Sequence, residues 1–100
     1  MIDLSEEHKK IIIDNIRLYL PTNTKVWAFG SRVKNTAKKF SDIDLAIEST
    51  GIIEKAQWID LKEALDQSIL PMKVDLVNFD YVDAPFQSII NQEKILLLEV

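Results

Sequence analysis

Apolar residues recur at Ile12, Ile16 and Leu20, with Ile13 beside them, and this spacing is one stripe of an amphipathic helix. Ser5 stands ahead of the stripe as an N-cap, Glu6 and Glu7 suit the first turn, and Pro21 ends it. Residues 25–29 read as a short strand that stops at Gly30. Over residues 41–47 the pattern becomes strict alternation. Asp42, Asp44 and Ala46 fall on one face and Ile43, Leu45 and Ile47 on the other, the period of a strand with one packed face. Helical spacing returns at about residues 53–69 through Trp58, Leu61, Leu65 and Ile69, and Pro71 closes it. Residues 74–79 predict a third strand, about 82–91 a short helix, and 95–100 a final strand. The order α-β-β-α-β-α-β predicts an α/β (α+β) fold, a small mixed sheet with helices packed on it.

No repeat, low-complexity segment or linker divides the chain, so residues 1–100 read as one domain, small but able to bury a single core. The net charge of −4 argues against the broad basic surface of a nucleic-acid binder, so any such contact would have to be local. There is no cysteine, which excludes disulfides and thiolate-bound metals and fits a reducing cytoplasm. The longest apolar run, residues 95–98, is far short of the ~20 residues needed to span a membrane. The N-terminus lacks the basic start and apolar run of a signal peptide. A soluble, cytoplasmic protein is the expectation.

The chemistry lies in the alternating strand. Asp42 and Asp44 point the same way, roughly 6.5 Å apart along the backbone at ~3.3 Å per residue. Two like charges on one face repel, and partial burial raises the cost. A solvated edge would tolerate them; a magnesium ion between them would use them, since it takes hard oxygen ligands from a few carboxylates plus water and phosphate. Asp75 favours the second reading. It interrupts the apolar run Val74-Asp75-Leu76-Val77, where an acid is out of place. If it converges on the other two, the set suits two-metal phosphoryl chemistry. If not, it faces solvent or pairs with a lysine such as Lys73.

Gly30 follows a strand, where glycine permits a tight turn and close backbone approach to a ligand. A turn beginning at Ser31 would offer free N–H groups and a hydroxyl to a phosphate. Arg32, Lys34, Lys38 and Lys39 form a basic stretch free of acids, either a solvated loop or a positive lip for a triphosphate.

Gly30-Ser31, ten residues, then Asp42-Ile43-Asp44 resembles the signature of the DNA polymerase beta-like nucleotidyltransferases. More closely, the run from Phe29 through Ile47 resembles the minimal nucleotidyltransferase (MNT) family. The resemblance implies a nucleotidyltransferase core in which Gly30 and Ser31 hold the nucleotide phosphates with Arg32 as helper. It implies two magnesium ions on Asp42, Asp44 and Asp75, one of them brought by ATP, with Asp75 helping to deprotonate the acceptor hydroxyl. It also implies a partner, since MNT proteins are similar to the antitoxin halves of HEPN/MNT modules. In that picture AMP is transferred from ATP to a tyrosine of the helical HEPN toxin.

Two other functions remain open from the sequence: an antitoxin that neutralises its partner by occlusion alone, and a small-molecule nucleotidyltransferase of the antibiotic-modifying kind. His8, near a helix start, reads as a surface or boundary residue. Trp27 and Trp58 read as core residues rather than nucleobase platforms. The apolar run at 95–98 reads as a buried strand, or as an edge that a partner covers.

Overall fold

The computed structural model describes residues 2–38 and 40–100. Helix α1 spans Glu6–Tyr19; the Ser5 side chain caps it by accepting from the His8 N–H at 3.2 Å. Strand β1 is Thr24–Phe29 and β2 is Ile43–Ser49, joined through a 3-10 turn at Gly30–Arg32. Helix α2 is Lys55–Asp66, β3 Val74–Asn78, α3 Ala84–Glu93 and β4 Ile95–Glu99. The predicted order of helices and strands is the observed one.

The four strands make one sheet in the order β3-β2-β1-β4. β1 runs antiparallel to both β2 and β4, while β2 and β3 are parallel, linked across one face by α2. Residues alternate across the sheet. Val26, Ala28, Ile43, Leu45, Ile47 and Val74 face α1 and α2, meeting Ile12, Ile16, Leu61 and Leu65 in the main core. Truncating one of these fully buried isoleucines or leucines to alanine costs about 2–5 kcal/mol. The opposite face carries a smaller cluster, in which Ile90 and Phe86 of α3 cover Trp27, Ala46 and Val77.

Helix α2 is shorter than its apolar stripe predicted. Ser68 ends it: its hydroxyl donates to the Leu65 carbonyl at 2.6 Å, and its N–H turns back to the same carbonyl at 3.2 Å. Ile69 therefore lies beyond the helix, 81% exposed, rather than in the stripe. At the start of α2, Glu54 and Gln57 form a reciprocal capping box. β4 is an edge strand with Leu97 and Leu98 buried and Leu96 half exposed. Among the described residues no helix is long and apolar enough to cross a membrane.

Candidate active site

Sheet register builds the site. Phe29 of β1 pairs with Asp44 of β2, and Asp44 pairs with Asp75 of β3. These three form a row across the sheet on the α3 side. The next row, Trp27, Ala46 and Val77, is apolar and lies under α3. The helix thus shields the sheet up to the acids and leaves them at its rim. Phe29 closes the floor, its ring edge-on to Phe86 with centroids 5.9 Å apart. Asp42 lies just before β2 and is exposed, while Asp44 and Asp75 are half-buried.

Asp44 feels its acidic neighbours. Burial pushes the Asp44 carboxyl above the usual carboxylate range; Asp75, Asp42 and Glu93 push it further, and Lys34 partly offsets them. Asp75 has two neighbours. It faces Asp44, and it also meets the exposed Lys73 ammonium at 3.5 Å, a contact that solvent screens.

The Gly30 turn abuts this row. Gly30 has φ +82°, a conformation L side chains rarely adopt, and a Cβ there would run into the Asp44 carboxylate. Only glycine lets the backbone come so near the acid. The Ser31 carbonyl accepts from the N–H groups of Lys34 (3.3 Å) and Thr36 (3.2 Å), curling the loop.

Arg32 does not join the acids. It is 6% exposed, and its guanidinium donates to the Ser41 carbonyl at 3.1 and 2.8 Å and to the Asp3 carbonyl at 2.9 Å. It straps the loop to the N-terminal segment and fixes the residue before Asp42. Of the other basic residues, Lys34 is near the acids, Lys38 is exposed, and Lys39 lies outside the described residues.

Glu93, at the end of α3, was not evident from the sequence. Its Oε1 accepts from the Gly30 N–H at 3.0 Å, and its Oε2 meets the Lys34 ammonium at 3.1 Å. The one local signal was an acid in the last turn of a helix, where the dipole favours cations. Trp27 packs in the smaller cluster as expected: its Nε1–H donates to Glu48 at 2.9 Å, and the Lys94 ammonium sits 4.2 Å from its ring centroid. Trp58 lines a hollow of 390 Å³ with Ile53, Lys55, Asn78 and Tyr81, which contains none of the acids.

Among the described residues no three acidic or histidine side chains close into a preformed metal cage. The donor set is still of the hard, carboxylate kind that magnesium takes, an ion whose shell water and phosphate oxygens complete. The Asp44 carboxyl is raised by burial first and by the acids around it second, and Lys34 lowers it only in part.

An α/β core with a glycine turn seated against paired strand aspartates defines a nucleotidyltransferase. Residues 14–100 match the family described as polymerase beta, nucleotidyltransferase, and the chain belongs to it. It is 39% identical over 98 residues to the probable protein adenylyltransferase MntA of Haemophilus influenzae, covering 98% of this chain and 85% of that protein. Its fold matches a crystal structure of a toxin–antitoxin with AMP-PNP (TM-score 0.76, 24% identity, 92% of this chain and 73% of that one). It also matches a structure of a tri-AMPylated Shewanella oneidensis HEPN toxin in complex with its MNT antitoxin (TM-score 0.63, 22% identity, 92% and 70% covered). The chain is thus of the minimal, MNT-type branch.

Proposed function

We propose that this protein is a magnesium-dependent adenylyltransferase that moves AMP from ATP onto a tyrosine hydroxyl of a helical HEPN-type toxin, and so acts as its antitoxin in the cytoplasm. The observation that carries this is the in-register pair of Asp44 and Asp75 beside the Gly30 turn. The choice of AMP and of a HEPN partner is supported by the named activity of the Haemophilus influenzae relative and by the AMPylated toxin beside its MNT antitoxin in the Shewanella oneidensis complex.

Asp42, Asp44 and Asp75 would hold the magnesium ions, which when bound offset phosphate charge and acidify the acceptor hydroxyl. Gly30 brings the backbone close to the phosphates, and the Ser31 hydroxyl donates to a phosphate oxygen. Arg32 acts at one remove, fixing the Ser41 carbonyl and with it the start of β2. Asp75 takes the proton of the tyrosine hydroxyl, whose free pKa is about 10. The freed oxygen attacks the α-phosphorus in line. The new O–P bond forms as the bond to the β-phosphate oxygen breaks, and pyrophosphate leaves with the electron pair. Lys34, close to Asp44, would neutralise charge on the departing group. AMP on the toxin adds bulk and negative charge where RNA phosphates would bind.

The test is incubation with a purified HEPN partner, ATP and magnesium, followed by intact mass measurement. An AMP-sized increment on the partner is expected, lost in the Asp42→Asn, Asp44→Asn double variant. If that variant neutralises the partner equally well with no mass change, occlusion is the mechanism. If a small molecule takes up AMP and the partner does not, the acceptor assignment is wrong.

A further inference from the structure

We infer that Glu93 is a positioning residue for the nucleotide: it fixes the Gly30 turn, holds Lys34 at the mouth of the site, and thereby sets affinity for the triphosphate. The inference rests on reading the Gly30–Ser31 turn as the seat of the phosphates.

One carboxylate ties both ends of the turn. Oε1 accepts from the Gly30 N–H at 3.0 Å and Oε2 pairs with Lys34 at 3.1 Å. Between these points the backbone closes on itself, with Val33 N–H donating to the Gly30 carbonyl at 3.1 Å and Lys34 N–H to the Ser31 carbonyl at 3.3 Å. Ser31 is therefore held between two anchored residues. The Glu93 side chain is 19% exposed, so its bonds are better shielded than a surface pair.

The carboxylate is itself held in place. Lys94 follows it, with its N–H on the Ile90 carbonyl at 2.8 Å and its ammonium over the rings of Trp27 (4.2 Å) and Phe79 (5.4 Å). The end of α3 is thereby pinned to the sheet beside the acids. An acid here opposes the helix dipole and adds negative charge next to Asp44. Both effects are unfavourable, and the bonds to Gly30 and Lys34 are what offset them.

The experiment compares the intact wild-type protein with Glu93→Ala, Glu93→Gln and Glu93→Asp. Calorimetry measures ATP affinity in magnesium, transfer assays give KM and kcat, and thermal melts check folding. Glu93→Ala should weaken ATP binding roughly tenfold, the scale of one lost charge-assisted hydrogen bond, and raise KM with little change in kcat. Glu93→Gln, whose amide oxygen can still accept from Gly30, should recover most of the affinity. Glu93→Asp keeps the charge but lacks the reach, so it should bind weakly; this variant decides the matter if the alanine protein does not fold. A wild-type protein that binds ATP while all three variants bind it equally well overturns the inference and leaves the function standing. Tighter binding by Glu93→Ala also overturns it, since the carboxylate would then compete with phosphate. A wild type that binds no ATP rejects the reading of the site and this inference with it.

Discussion

Asp44 and Asp75 are register partners on adjacent parallel strands, set side by side at the strand spacing of ~4.8 Å. The sheet that gives the fold its order therefore also holds two like charges together. This tension has a measurable sign. With its carboxyl raised in the folded protein by burial and by Asp75, Asp42 and Glu93, Asp44 favours the folded state only when protonated.

In metal-free protein at neutral pH, Asp44→Asn should therefore be more stable than wild type while losing transfer activity. The gain is complete above the raised folded pKa. It shrinks as pH falls through that value and vanishes near the unfolded carboxylate value of about 4, where both states are protonated. Urea denaturation of both proteins across this range measures it. A gain that grows on acidification would contradict the charge assignment. Adding magnesium should stabilise the wild type more than the variant.

Asp42→Asn should likewise abolish transfer, but with stability within about 0.5 kcal/mol of wild type, because Asp42 is exposed and lies before the strand. Thermal melts without metal provide the comparison. A large loss would make Asp42 a structural residue.

Gly30→Ala meets two obstacles, the φ of +82° and the carboxylate of Asp44 in the path of the new methyl group. We expect a loss of about 1–3 kcal/mol, together with loss of ATP binding. The double variant Gly30→Ala, Asp44→Ala should recover part of the stability but none of the activity. No recovery would mean that backbone strain alone sets the penalty.

Arg32→Lys should destabilise by about 2 kcal/mol or more, since a lysine ammonium cannot reproduce the planar fork that reaches the Ser41 and Asp3 carbonyls together. ATP affinity of the folded fraction should change less than stability does. The reverse ranking, with affinity lost and stability kept, would return Arg32 to the phosphates.

The acidic strand was legible because alternation is local: Asp44 and Ala46 share a face whatever packs on them, while Asp42, predicted to join them, lies just before β2. Asp75 was legible because a carboxylate in an apolar strand lacks a local reason. Glu93 was hidden because its partners, Gly30 and Lys34, lie far back in the chain, and no short-range pattern joins a helix end to a turn. Arg32 misled for the opposite reason. Its place beside Gly30-Ser31 suggested a phosphate ligand, whereas the residue points inward to carbonyls that the sequence does not mark. The end of α2 was misjudged because Ile69 kept the apolar period while Ser68 had already turned the backbone.

The parallel pairing of β2 with β3 has a consequence for how the chain acquires its chemistry. β1 and β2 can meet as antiparallel neighbours, but Asp75 reaches Asp44 only after α2 has crossed the sheet and delivered β3. Such non-local closure carries the larger entropic barrier in folding. A nascent or truncated chain that stops short of β3 has the glycine turn and the first two acids yet lacks the third. Competence thus arrives with the completed topology, and a fragment without β3 does not inherit it.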